Sequence, residues 1–375
     1  MPRMPTATDP ELDNAMERLS KAKCAEDVFG AFFGGKHATL LDVRRVYRRL
    51  AKVAHPDRYP SPGDREVATA AFKLLDAFWQ TAQRRIESGM YGSPIVAVIS
   101  TRRRRYEVGS RIARGDIADV YGCTYADDAG VATGIIKVAR SGVDNDLMAN
   151  EARVLKMIET QTADVGLRAY APCVVESFGY SDGKQPVRQA TVFAAIDGLR
   201  TLMDVRCQYP DGIDPKHAAW MWTRLLIALD VAHAIGVVHG SVIPPHVLIH
   251  PAEHGLVLVD WTNATRDPEA SGERVKAISS EYESWYPRET IAGEAPTPGM
   301  DILMGARCMI YLLGGDPVEG TLPDRVPPKL KNFFRACMFE SSRMRPQDAG
   351  KLREEFHELI ELLWGKRKFI AFSMA

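Results

Sequence analysis

A lysine, a glutamate, an aspartate and one histidine-rich loop are spaced along this chain in a way that raises the question of phosphate chemistry. Lys137 stands at the end of the β-prone stretch TGIIK, behind a glycine-containing hairpin at residues 127 to 130. A lysine so placed on a strand can reach nucleotide phosphates. Glu151 follows in the helical pattern NDLMANEARVLKMIE and is available to pair with Lys137. Residues 237 to 250 read VVHGSVIPPHVLIH, with His239, Ser241 and His246 as the polar side chains, and Asp260 comes shortly after, in GLVLVDWTNA. A serine cannot take up a substrate proton at neutral pH as a carboxylate can, and general-base catalysis typically contributes about 10²- to 10⁴-fold. His233 and His254 have no His, Cys or Asp group at metal-binding spacing around them, so ordinary polar roles are expected for both.

The elements that must carry these residues belong to a chain of 375 residues, long enough for two or three domains with cores of their own. Charged residues make up 26% and apolar residues 46%, a composition typical of a soluble globular protein. Lys plus Arg equals Asp plus Glu at 48 each, which removes a global electrostatic case for nucleic acid or a membrane as partner. The six cysteines (Cys24, Cys123, Cys173, Cys207, Cys308 and Cys337) lie far apart without a CxxC pair, which suggests neither a zinc knuckle nor a disulfide framework. The opening MPRMPTATDPELDN has no apolar leader core, and no stretch of about 18 apolar residues is present to span a bilayer. A reducing cytoplasm is the expected location.

From Leu40 to Ala54, LLDVRRVYRRLAKVA repeats apolar residues at helical spacing, with Val43, Val46, Tyr47 and Leu50 on one side and Arg44, Arg45, Arg48, Arg49 and Lys52 on the other. The pattern stops at His55-Pro56-Asp57, because proline disfavours helix at the residue before it. After RYPSPGD, a second helical pattern runs from about 65 to 86 and buries Val67, Ala71, Leu74, Leu75, Phe78 and Ala82, giving an antiparallel hairpin. The combination of YRRLAKVAHPDRYP with AAFKLLDAFWQ resembles helix II, the HPD loop and helix III of a J-domain. EDVFGAFF, residues 26 to 33, resembles that fold's short first helix. The resemblance implies docking on a DnaK-type heat-shock ATPase through His55, Pro56 and Asp57, with Arg45, Arg48, Arg49 and Lys52 as electrostatic contacts. No Gly/Phe-rich region and no zinc-finger repeat follow the hairpin, which points to the next domain as the source of specificity.

A turn-rich GMYGSP sets a domain boundary near residue 92. The four arginines from Arg102 to Arg105 have little interleaved aromatic character, so a solvated or interdomain face is expected for them rather than a nucleic-acid site. Residues 106 to 364 then resemble the protein-kinase fold through the order of their features. Residues 106 to 140 alternate strands and turns through Val120 and Lys137. QATVFAAIDG looks like the last small-lobe strand and the hinge, VVHGSVIPPHVLIH stands at the catalytic loop, and Asp260 stands at the metal-binding DFG position. Glu289 in WYPRE, Asp301 at the start of DILMGARCMIYLLGGDP and Arg345 in MRPQDAGKL resemble structural positions of the large lobe, with Arg345 paired to Glu289.

Departures from the family pattern matter as much. The phosphate-loop glycines fall at Ala113, Gly115 and Ala118, so the backbone there approaches phosphates less freely. Lys137, Glu151 and Asp260 are kept, but the segment after Asp260 reads DWT, the Arg after His239 is Gly240, the catalytic Asp is Ser241, and the second metal-binding Asn is His246. Magnesium prefers oxygen ligands, which makes His246 a poor substitute. ATP and one magnesium held at Asp260 are the cofactors the resemblance implies. Phosphoryl transfer rests mainly on positioning and charge neutralisation, so these losses weigh against turnover without abolishing it on principle.

The expectation is therefore a multidomain protein, an all-α J-domain helical hairpin followed by a bilobal α+β protein-kinase-like fold. Its divisions are an N-terminal tail (1–18), the J-domain (19–90), a basic linker (91–105), a small lobe with hinge (106–198), a large lobe (199–364) and a C-terminal tail (365–375). The expected function is that of a co-chaperone stimulating a DnaK-type ATPase, with a nucleotide-binding pseudokinase selecting a protein client or gating activity. The alternatives are an active atypical serine/threonine kinase targeted by its J-domain, and a scaffold that binds no nucleotide. Trp220, Met221 and Trp222 are expected in the core. The final KRKFIAFSMA is either an exposed interaction patch or a tail docked on its own large lobe.

Overall fold

The computed structural model describes residues 9–22, 24–30, 32–33, 36–87, 91–92, 95–127, 130–181, 183, 186–366 and 368–374. Several residues used in the sequence reading fall outside this set, namely residues 1–8, Ala31, most of the GMYGSP turn, residues 128 and 129 of the polar hairpin, Arg367 and Ala375. The chain divides into two compact units, residues 1–115 with 119–137, and residues 116–118 with 138–375.

The first unit begins with α1 (Pro10–Lys21), where the sequence reading placed a tail. Asp9 caps this helix by accepting from the backbone N–H groups of Glu11 and Leu12, Pro10 opens it, and Leu12, Ala15, Met16 and Leu19 form its buried stripe. Helix α2 (Ala25–Phe29) is shorter than the expected 26–33 segment, because Gly30 turns the chain at φ 86 and Phe32–Phe33 (β1) pairs with Lys36–His37 (β2). Helix α3 (Leu40–Ala54) starts in a capping box between Thr39 and Asp42 and buries Val43, Val46, Leu50 and Ala54. Its opposite face exposes Arg44, Arg45, Arg48, Arg49 and Lys52. His55 leaves the helix in extended conformation, and a 3-10 turn over Pro56–Arg58 leads towards α4 (Pro62–Glu87).

At that turn His55 Nδ1 accepts from Asp57 N at 3.3 Å, and the side chains of both residues are largely exposed. The loop is pinned from beneath by buried Tyr59, whose hydroxyl donates to Val53 O at 2.7 Å. Fully buried Arg85 on α4 meets Glu26 on α2 at 2.9 Å, which fixes the first short helix against the long one.

Strand β3 (Ala97–Ser100) forms inside the stretch read as linker and pairs antiparallel with β4 (Arg105–Arg114), so the arginine run makes a hairpin. Thr101 Oγ1 accepts from the backbone N–H groups of Arg103 and Arg104, and the Arg104 guanidinium lies 5.3 Å from the Tyr125 ring centre. Next come β5 (Ala118–Asp127) and β6 (Gly130–Ala139). Strands up to Lys137 group with the helices in this compact unit. Within it Gly130 approaches the end of α4 closely, since a Cβ there would stand 3.2 Å from Arg84 Nη2.

The second unit comprises α5 (Asn145–Gln161), α6 (Val165–Arg168), antiparallel β7 (Val174–Tyr180) and β8 (Arg188–Ala194), β9 (Arg200–Thr201), α7 (Leu202–Gln208) and α8 (Pro215–His233). It continues with β10 (Val237–Val238), β11 (Val247–His250), β12 (Gly255–Leu258), β13 (Thr265–Arg266), α9 (Pro268–Ser271), α10 (Arg288–Ile291), α11 (Pro298–Leu312), α12 (Pro328–Cys337) and α13 (Ala349–Trp364). Helices α8 and α11 are apolar nearly all round and form the centre of the core, as an enveloped helix must. Gly305 makes their contact possible, because a Cβ there would come within 3.0 Å of Leu225 and Trp222.

Met221 and Trp222 are core residues as expected, whereas Trp220 is half-buried and stacks on His254 at 4.2 Å between ring centres. Phe369 covers the other face of His254 at 4.3 Å, Phe372 is buried, and Tyr209 donates to Ser373 O at 2.6 Å, so the C-terminal segment is docked on its own unit. Among the described residues no helix is long and apolar enough to cross a membrane.

Candidate functional site

The loop between β10 and β11 is held from below by one fully buried carboxylate. Asp301, in the first turn of α11, accepts from His239 N at 2.8 Å and Gly240 N at 2.9 Å, and its Oδ2 lies 2.9 Å from His233 Nε2 on α8. Asp301 thus fixes the start of the loop, with His233 as its polar partner. Glu289 and Arg345 meet, Arg345 Nη2 donating to Glu289 Oε2 at 3.3 Å.

His239 is buried with its ring edge-on to Trp261 at 4.6 Å. Its Nε2 faces Val259 O at 3.0 Å and must donate, since a carbonyl only accepts, while Nδ1 accepts from Ser241 N at 3.2 Å. Both nitrogens are used in the neutral ring, and burial pushes the imidazole down to about 4. His239 is therefore a positioning group and not a proton acceptor for a substrate.

Ser241 follows in the same loop and is buried. The side chain is 1% exposed, and its Oγ shares a 2.8 Å hydrogen bond with the Tyr286 hydroxyl. Burial raises the Tyr286 phenol above its ordinary value, so it is a neutral partner. Gly240, before it, has φ 78, and a Cβ at that point would lie 2.8 Å from Asn263 O. Gly240 and Ser241 are accordingly both packed into the loop's structure.

His246 ends a short 3-10 turn over Pro244–His246. Its Nδ1 lies 2.8 Å from Ser241 O, and its Nε2 lies 3.6 Å from Asp260 Oδ2. Asp260 follows β12 in left-handed backbone conformation at φ 62. Its Oδ1 accepts from Thr262 Oγ1 at 2.5 Å, an interaction supplied by the DWT sequence itself. The next residue, Trp261, donates its backbone N–H to Glu151 Oε1 at 3.0 Å, which ties α5 to this segment.

Of the residues assigned to nucleotide, Glu151 and Asp260 come together around Trp261 in the second unit. In the first unit, Gly115 lies exposed in the turn after β4, Val120 is half-buried on β5, and Lys137 is buried on β6. Tyr286 and Thr262 had no role in the sequence reading. Tyr286 was visible within WYPRE, but nothing local to that stretch points at a serine 45 residues earlier.

Asp260 offers carboxylate oxygens, which suit magnesium, whereas His246 offers nitrogen at the second position, which does not. Among the described residues no group of three or more His, Cys, Asp or Glu side chains is placed to hold a metal.

No protein-family model matches the chain. The alpha' subunit of casein kinase II from Saccharomyces cerevisiae is 29% identical over 157 residues, covering 42% of this chain and 41% of that protein. The match thus spans about two fifths of the curated relative's length. Among solved structures, the crystal structure of the BubR1 kinase domain aligns with a TM-score of 0.53 and 14% identity, covering 71% of this chain and 83% of that one. The likeness is one of fold, and it defines a bilobal α+β kinase-like domain in this chain.

Proposed function

We propose that this protein is a J-domain co-chaperone whose kinase-like domain holds a nucleotide without ordinary phosphoryl transfer. The observation that carries the second half is the buried Ser241–Tyr286 hydrogen bond at the place of the catalytic base. Neither hydroxyl accepts a proton at neutral pH, and neighbouring His239 is committed through both ring nitrogens. Gly115, Val120, Lys137, Glu151 and Asp260 are the residues we assign to ATP, with Asp260 as the magnesium ligand. When bound, the metal neutralises phosphate charge. Lys137 does the same from the protein side, and Glu151 orients the segment carrying Asp260 through Trp261.

The first half rests on the His55-Pro56-Asp57 turn between α3 and α4, with His55 and Asp57 exposed, beside the basic face of Arg45, Arg48, Arg49 and Lys52. A cationic face next to a turn with exposed polar side chains suits docking on an acidic surface of a DnaK-type heat-shock ATPase. In this reading the kinase-like domain selects the protein client or gates the stimulation through nucleotide. The test is ATP hydrolysis by a DnaK-type chaperone with wild type or His55→Gln protein. Stimulation by wild type and its loss in the variant are expected, and equal stimulation by both would rule out the co-chaperone role.

A further inference from the structure

We infer that the cavity between α8, α13 and the docked C-terminal segment is a binding site for a small organic anion with an apolar body, separate from the loop that carries His239 and Ser241. The inference does not depend on the nucleotide reading, and all of its residues lie in the second unit.

Size limits the occupant first. The cavity measures about 800 Å³, inside the roughly 300–1,000 Å³ range of small-molecule sites. Trp220 and Ile227 on α8, Ile360 and Trp364 on α13, and Phe369 and Ile370 in the C-terminal segment supply its apolar wall. Such a wall takes up the body of a ligand by removing apolar area from water.

Charge then selects among bodies of that size. Lys216, Arg224, Arg353, Lys366 and Lys368 line the cavity, and Glu354 is the one carboxylate in its lining. Ion pairs among the described residues involve none of these five cations. The three lysines are exposed, whereas Arg224 and Arg353 are half-buried.

Arg224 makes the strongest case. Its Nε donates to His254 O at 3.0 Å and its Nη1 donates to the Tyr170 hydroxyl at 3.0 Å. A carbonyl and a phenol fix the guanidinium plane without neutralising its charge. A cation withdrawn from water in this way gains from an anion, and its planar fork of N–H donors suits the oxygens of a carboxylate, sulfonate or phosphate. A bare inorganic ion would leave the wall unused. A neutral apolar molecule would leave the cations unanswered.

The experiment titrates the full chain, without nucleotide or metal, with two fluorescent probes that share one aromatic body. One is 8-anilinonaphthalene-1-sulfonate, and the other is N-phenyl-1-naphthylamine, which lacks the sulfonate; inorganic sulfate serves as the competitor that has charge and no body. Saturable binding of the sulfonate probe to one class of site is expected, about tenfold or more tighter than the neutral probe and displaced only weakly by sulfate. Lys216→Glu combined with Arg353→Glu should weaken the sulfonate probe by about tenfold and leave the neutral probe within about twofold, which separates lost charge from lost fold. Lys329→Glu combined with Arg335→Glu makes the same charge change on exposed positions of α12 outside the cavity, and it should leave both probes unchanged. Equal affinity for the two probes would overturn the inference and leave a bare apolar face. Ready displacement by sulfate, or equal weakening by the two double variants, would overturn it as well.

Discussion

Ser241 and Tyr286 share a 2.8 Å hydrogen bond between hydroxyls that are both buried. Tyr286→Phe removes one hydroxyl and leaves Ser241 Oγ without that partner, which costs about 1–3 kcal/mol when a buried polar group is orphaned. Urea unfolding of the variant should show a loss of that size with the slope unchanged. A difference within about 0.5 kcal/mol, the range of ordinary surface substitutions, would contradict the structural role assigned to the pair.

Gly240 gives a second prediction, because its backbone and surroundings both exclude a side chain. Its φ of 78 is unfavourable for any residue with a Cβ, and that atom would meet Asn263 O at 2.8 Å. Gly240→Ala should therefore lower stability by at least about 1–2 kcal/mol from backbone strain, with the contact adding to it. The same holds for Gly240→Arg, which should also destabilise the loop. Calorimetric unfolding of both variants checks this, and an unchanged transition temperature would refute it.

His239 makes stability depend on pH. Burial holds its folded-state value at about 4, below the ordinary value of about 6.5 that applies once the chain unfolds. Between these two values the unfolded chain binds a proton that the folded chain excludes. The stabilisation is complete above about pH 6.5 and is lost as pH falls towards 4. His217 and His254 are depressed by burial as well and act in the same direction. Denaturation midpoints should fall across this window, and His239→Gln should flatten the dependence by up to about one proton. An identical slope in the variant would contradict the assignment.

How far the sequence reveals this arrangement depends on the range of the interaction. The α3 and α4 hairpin was legible because amphipathic spacing and the His55-Pro56-Asp57 stop are local, and the Thr39 cap confirms the helix start one residue before Leu40. Asp301 and the Glu289–Arg345 pair were legible through the order of motifs. Helix α1 was overlooked although the Asp9 cap, Pro10 and the spacing of Leu12, Ala15, Met16 and Leu19 were all in view. The Ser241–Tyr286 bond, the facing of His246 and Asp260, and the stacking of His254 between Trp220 and Phe369 join distant segments. No local pattern encodes them.

The central claim, that this protein holds ATP and leaves it intact, is tested most directly by equilibrium dialysis against γ-labelled ATP with a divalent cation, followed by separation of the recovered label. Saturable binding in the wild type, its loss in Lys137→Met, and recovery of the bound label as ATP are expected. No saturable binding, or label recovered as phosphate or phosphoprotein above the Lys137→Met level, would contradict it.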